Sequence, residues 1–320
     1  MSQQHAVVID LDFTPNLITP FHSLLVNKLR APLRVGFSNK FEHCGYIPAA
    51  NRHRPGCPDV KISYHSNCII VLEYYSNRIQ FYDLNSKRLL TFIKAKQPRC
   101  LCVEENYDKQ KNDAIIYNRD CHTKYDIKEL IKQGLNSSDD CNPLWVQDLS
   151  TSSMNGIAVS RTSHGPCCEK FIYCCASSSG CVIILNANNG QQVGQISTIP
   201  IPYGIDVTEK GDLIISSLGG QIQLFTEPLF QPHSFRNSKI ILSEGILHSP
   251  RGICYDPVAK HIIICDTLNY LVVVMDLEGK ILKSFADRTT LSYPYGVCVN
   301  SLNGKVYVSN WSLEGVQIFK

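Results

Sequence analysis

Along most of this chain, apolar positions come in short unbroken runs separated by turn residues, and not in stripes at helical spacing. The runs Cys68-Ile-Ile-Val-Leu-Glu, Phe171-Ile-Tyr-Cys-Cys and His261-Ile-Ile-Ile-Cys-Asp each have the length of one strand. Gly, Asn, Asp and Ser bound them. Rich in β-branched and aromatic residues, they read as buried strands of an all-β fold. The pattern also repeats. Pro202-Tyr-Gly-Ile-Asp-Val, Pro250-Arg-Gly-Ile-Cys-Tyr and Pro294-Tyr-Gly-Val-Cys-Val share a template with Asn155-Gly-Ile-Ala-Val, and their glycines (Gly156, Gly204, Gly252, Gly296) lie 48, 48 and 44 residues apart. Cys100 and Val60 continue the series upstream in two worn copies that open at Pro98 and Pro58.

Each unit has room for four short strands, and four strands every forty-odd residues predicts a propeller blade. The expected fold is therefore all-β: a six-bladed β-propeller of four-stranded antiparallel blades. One blade cannot cover both of its faces, so the blades must stack around an axis and the ring must close. The last unit stops after three strands. Ala6-Val-Val-Ile-Asp-Leu-Asp-Phe is an apolar run suited to supply the fourth. The expected organisation is a closing strand in residues 1–13, a short helix plus basic loop in 14–57, and repeats over 58–320.

Within the insert, Thr19-Pro20 followed by Phe21, Leu24, Leu25 and Leu29 reads as a capped helix. The net charge of +3 is small for a nucleic-acid binder, but it is unevenly placed. Residues 27–61 hold seven basic side chains (Lys28, Arg30, Arg34, Lys40, Arg52, Arg54 and Lys61) against Glu42 and Asp59, leaving the remainder negative. The stretch reads as a solvated loop, with an acidic partner or a phosphate backbone as the sharper alternative.

The best repeat, residues 250–285, carries Asp266 and Asn269 in the pattern Pro-x-Gly-Ile/Val-x-Val, an apolar strand ending in Asp, then Asn-x-x-Ile-x-Val-Phe. Arg78, Ile79, Gln80 and Phe81 keep another part of it. This pattern resembles the NHL repeat, over about residues 58–320. The resemblance implies a propeller of the kind found in tripartite-motif-type ubiquitin ligases, where it recognises substrate or RNA. Related six-bladed propellers include lyases and lactonases, so an enzyme stays as an alternative. No catalytic ubiquitin-ligase domain is visible in the sequence, and a role in ubiquitylation implies a catalytic partner in trans.

The residue before each repeated glycine position falls at the end of an innermost strand. Around the ring these are Asp59, Arg99, Asn155, Tyr203, Arg251 and Tyr295. Two arginines, two tyrosines, an Asn and an Asp suit hydrogen bonding and stacking on a peptide or base. Two positions beyond each glycine position, Ile62, Cys102, Ala158, Asp206, Cys254 and Cys298 form a second ring of mostly small residues, read as packing in preference to a soft-metal site. Glu73, Asp266 and Asn310 end second strands and read as turn caps in preference to a calcium cage. No catalytic residue, cofactor or metal is expected.

The fifteen cysteines include no CxxC pair, and the chain shows neither a secretory leader nor a long apolar span. A cytoplasmic protein with reduced thiols is the simpler expectation. A protein or peptide partner leads, RNA is the alternative, and oligomeric state is open.

Overall fold

Consecutive apolar runs pair through short turns into six separate four-stranded antiparallel sheets. The computed structural model describes residues 41–49, 56–118, 121–136, 141–149, 154–161, 169–226, 235, 237–312 and 315–320. In chain order the strands are β1 (His43–Ile47), then β2 (Val60–Ser63), β3 (Cys68–Glu73), β4 (Arg78–Asp83) and β5 (Leu89–Lys94) of blade 1. Blade 2 is β6 (Cys100–Glu104), β7 (Ala114–Asn118), β8 (Cys121–Asp126) and β9 (Trp145–Asp148). Blade 3 runs from β10 (Met154–Val159) to β13 (Gln192–Ser197), and blade 4 from β14 (Pro202–Val207) to β17 (Asn237–Leu242). Blade 5 runs from β18 (Pro250–Asp256) to β21 (Ile281–Phe285), and blade 6 holds β22 (Pro294–Val299), β23 (Val306–Asn310) and β24 (Val316–Phe319).

The core lies between blades. Each of six apolar clusters draws its residues from two neighbouring blades. Cys68, Ile70 and Phe81 of blade 1 meet Leu101 and Ile115 of blade 2, for example, while Cys265 and Val272 of blade 5 meet Val306 and Val308 of blade 6. Central strands are buried on both faces and read as continuous apolar runs, whereas the outermost strands alternate and face water.

The ring closes in the last blade. β1 pairs antiparallel with β24, setting His43 opposite Phe319 and Ile47 opposite Val316, with a bulge between His43 and Gly45. Paired backbone bonds of 3.0 Å between Glu42 and Lys320 extend the ladder. Ile47 and Ala49 join a cluster with Val60 of blade 1 and Tyr307, Val316 and Ile318 of blade 6. This corrects the expected closure: the fourth strand comes from residues 43–47, inside the segment read as basic loop. The run 6–13 and the helix expected from Thr19 lie outside the described residues, and the edge assigned to that run is already filled.

The recurring glycine has a structural cause. In blades 3 to 6 the inner ladder slips between Met154 and Ile157, Pro202 and Ile205, Pro250 and Ile253, and Pro294 and Val297. These are β-bulges at one equivalent place, which re-aim the residue they carry. A Cβ on Gly156 would stand 2.1 Å from the carbonyl of Tyr203, one on Gly204 2.0 Å from that of Arg251, and one on Gly252 2.2 Å from that of Tyr295. Only glycine admits the next blade's carbonyl there. Blades 1 and 2 pair without the slip, so Val60 and Cys100 are tolerated at the same position.

One element departs from the repeat. A helix, α1 (Ile127–Asn136), sits between the third and fourth strands of blade 2. Asp126 caps it by accepting the amide of Glu129 at 3.0 Å. Ile127 and Leu130 are buried against blade 1.

Candidate functional site

All six residues singled out at the inner-strand ends line one axial pocket. Asp59, Arg99, Asn155, Tyr203, Arg251 and Tyr295 surround it together with Lys61 and the glycines of the bulges. The bulges explain the convergence, since they lift residues 155, 203, 251 and 295 out of the ladder at the same height in successive blades.

Three of the six form a single packed unit. The Arg251 guanidinium lies 4.6 Å from the Tyr203 ring centroid and 4.2 Å from that of Tyr295, while the two rings meet edge to face at 6.3 Å. Nε of Arg251 is buried without a hydrogen-bond partner. Burial pushes both phenols up, with the arginine charge working in the opposite direction, so both stay protonated donors at neutral pH. Tyr295 stacks in turn on Trp311 at 4.7 Å, and Trp311 lies 5.5 Å from each of Tyr74 and Tyr75. An aromatic platform thus runs from the axis over blades 6 and 1.

Trp311, Tyr74 and Tyr75 were not singled out from the sequence. A signal was present, because each follows the end of a second strand (Glu73 or Asn310) and so falls on the face that carries the rim. The same face exposes Ile201, Ile246 and Leu268, each about half accessible. Ile201 holds φ 54°, a left-handed conformation uncommon for a β-branched residue.

The remaining rim residues differ in role. Arg99 is exposed at the mouth. Asn155 donates to the Ser177 hydroxyl. Asp59 is only 8% exposed, and its carboxylate is committed: Oδ1 accepts Val60 N–H at 2.9 Å and Lys61 Nζ at 2.6 Å, and Oδ2 accepts Leu101 N–H at 3.1 Å. It therefore bolts blade 1 to blade 2. Burial alone would lower the Lys61 ammonium, but the adjacent Asp59 carboxylate more than reverses this and keeps it charged.

In the second ring, Asp206 is a matching bolt. Its Oδ2 accepts Tyr255 N–H at 2.7 Å from the next blade and pairs with Arg161 at 3.1 Å. Arg161 also donates to the carbonyls of Val207 and Tyr255. Ile62, Cys102, Ala158 and Cys298 are buried, and burial pushes the Cys254 thiol up to about 12. A protonated thiol is a poor nucleophile and a poor metal ligand. Asp266 accepts the amide of His248 at 2.7 Å and Asn269 Nδ2 at 2.8 Å, so it ties the turns on the rim face.

Among the described residues no group of three or more His, Cys, Asp or Glu is placed to hold a metal, and every cysteine is a free thiol. The described helices include none long and apolar enough to cross a membrane. Arg30, Arg34, Lys40, Arg52 and Arg54 lie outside the described residues.

No family profile matches the chain, and no curated protein matches it in sequence. Solved structures do match it in shape. A protein of unknown function from Bacteroides thetaiotaomicron superposes with a TM-score of 0.59 at 13% identity, over 88% of this chain and 72% of its own. An auxiliary nutrient binding protein from the same organism gives 0.61 at 11%, over 84% and 69%. The WD40 repeats of RRP9 give 0.58 at 10%, over 88% and 99%. The likeness is one of fold. These identities are too low to carry function, which has to be argued from the site.

Proposed function

We propose that this chain is a non-catalytic binding propeller that recognises a protein or peptide partner through its axial rim. The observation that carries this is Arg251, set against the faces of both Tyr203 and Tyr295 on a platform continued by Trp311, with its Nε buried and unpartnered. Arg, Tyr and Trp are the side chains that most often dominate binding energy at protein interfaces. The exposed Ile201, Ile246 and Leu268 on the same face add apolar area around that centre.

The pocket itself has a volume of about 30 Å³. That is room for a water or two, far below the roughly 300 Å³ at which clefts for free small molecules begin. A surface contact fits this shape better than an enclosed substrate. Asp59, the one carboxylate at the rim, is engaged by three donors and is poorly suited to general-base work.

The NHL-like pattern around Asp266 and Asn269 supports the same reading. In a ubiquitylation system the chain would select the substrate, with the catalytic step supplied in trans. RNA is the second reading, favoured by the stacking of Arg251 on two aromatic rings. Affinity purification from the native cell, with and without RNase, separates the two. A protein partner is expected to survive RNase and to be lost from the double variant Arg99→Ala/Arg251→Ala. Loss of all partners on RNase treatment would favour RNA.

A further inference from the structure

The axial rim leaves unexplained a second concavity, at the periphery on the opposite side of the ring. There α1 packs beside β5, the outer strand of blade 1, and beside the turn that holds His65. We propose that this groove docks a segment of a partner protein that carries large apolar side chains flanked by carboxylates. This site is independent of the axial rim.

The groove is built in advance. Gly134 lets the helix sit against the strand, since a Cβ there would lie 2.4 Å from Thr91 Oγ1 and 3.0 Å from the Phe92 carbonyl. Asp126 caps the other end of the helix. Between the two walls is a cleft of about 390 Å³, within the range of ligand-binding clefts.

Its chemistry is one-sided. Leu90, Ile131 and Leu135 supply the apolar lining, with Leu90 38% and Leu135 64% exposed. Ile131 and Leu135 stand one turn apart on the same helix face; Ile131 also packs against the core cluster that holds the buried Ile127 and Leu130, whereas Leu135 does not. Leu135 therefore adds nothing visible to the core. His65, Lys128 and Lys132 stand around the lining, and among the described residues no carboxylate lines the groove. Lys128 and Lys132 are a like-charge pair at helical spacing, an arrangement that opposes the helix carrying it. Lys132 lies 3.7 Å from the exposed Glu129, and Lys128 donates to Asn112 Oδ1, so both ammonium groups stay beside the groove. The His65 ring is fixed by Nδ1, 2.7 Å from the buried Asp113 carboxylate. An apolar surface flanked by two lysines, of which Lys132 shares the exposed Glu129 and Lys128 has only amide and carbonyl oxygens as partners, is complementary to an acidic segment with apolar anchors.

The test is selection of a random displayed dodecapeptide library on the full chain, followed by affinity measurements on the enriched peptides. Enriched sequences are expected to combine large apolar residues with Asp or Glu. Leu135→Asp should weaken them by about tenfold or more. Lys128→Glu/Lys132→Glu should do the same and shift selection toward Lys- and Arg-flanked sequences, while Arg251→Ala leaves binding unchanged. Leu90→Ser repeats the test on the strand wall if either helix variant melts early. Absence of enrichment, enriched peptides without acidic residues, or equal binding to Leu135→Asp and Leu90→Ser would overturn the proposal. Loss of binding in Arg251→Ala by every enriched peptide would do so too, by placing them all on the rim.

Discussion

Replacing Ile47 by alanine should loosen the ring where its two ends meet. Ile47 is 1% exposed and packs with Val60 of blade 1 and with Tyr307, Val316 and Ile318 of blade 6. The substitution removes three carbons. At about 0.8 kcal/mol for each buried methylene, the transfer loss is near 2.4 kcal/mol. The cavity left behind adds to this, and measured aliphatic-to-alanine changes of this type span roughly 2–5 kcal/mol. A loss of about 3 kcal/mol is expected. Tyr46 is the internal control, since it sits on the same strand with 51% of its surface exposed. Tyr46→Ala should change stability by less than about 1 kcal/mol. Urea unfolding followed by tryptophan fluorescence suits the question, because the two tryptophans report on different parts of the ring. Trp311 follows β23 in the closing blade, whereas Trp145 lies between blades 2 and 3. Removing residues 1–13 should leave the midpoint in place, and removing residues 1–49 should lower it sharply. Equal small effects of Ile47→Ala and Tyr46→Ala would refute closure by β1.

Other outcomes follow from the packing. Gly204→Ala must displace the Arg251 carbonyl, 2.0 Å from the new methyl, and should cost roughly 1–3 kcal/mol in thermal or urea unfolding; Gly194→Ala, with its nearest neighbour at 3.7 Å, should be nearly neutral. Lys124→Met leaves Glu104, 2% exposed, without its 2.6 Å ion pair and should cost about 3–5 kcal/mol, whereas Glu104→Leu/Lys124→Met should recover most of it in the same assay. Burial pulls the His122 imidazole down to about 4, below its usual value near 6.5. The unfolded chain then binds a proton that the folded chain refuses, so stability should fall as pH drops from 6.5 toward 4, and His122→Gln should flatten that slope in unfolding curves.

Much of the ring was readable from spacing alone. The glycines of blades 3 to 6 recur because each sits in a bulge against the next blade, with a carbonyl facing Gly156, Gly204 and Gly252 and the Asp59 Cα facing Gly296, a constraint strong enough to mark the sequence. The rim was legible for the same reason, since a fixed offset from those glycines places Tyr203, Arg251 and Tyr295 at one height. What could not be read has physical causes. Strand β1 is short, begins with a bulge and pairs with a strand more than 260 residues away. Its sequence, His43-Cys-Gly-Tyr-Ile, lacks the alternation that marks an ordinary strand, whereas residues 6–13 display it more clearly. Helix α1 was hidden because its apolar residues fall within a blade-length unit, although Asp126 ahead of Ile127, Leu130 and Ile131 spells a capped amphipathic turn. Asp59 was read as part of the binding rim and Asp206 as part of a packing ring, and both proved to be bolts between blades, since what they bind is backbone N–H that the sequence does not reveal.

The central claim is that the axial rim is a partner-binding surface organised by Arg251. Its most direct test is the affinity of an RNase-resistant partner for the wild-type chain and for Arg99→Ala/Arg251→Ala, measured by calorimetry at matched salt. Arg99 is exposed but Arg251 is half-buried against Tyr203 and Tyr295, so the melting temperature of the variant is measured alongside and affinity is compared where both proteins are folded. Affinity is expected to fall by about a hundredfold, as for a central arginine hot spot. Unchanged affinity in a variant that melts normally would contradict the account.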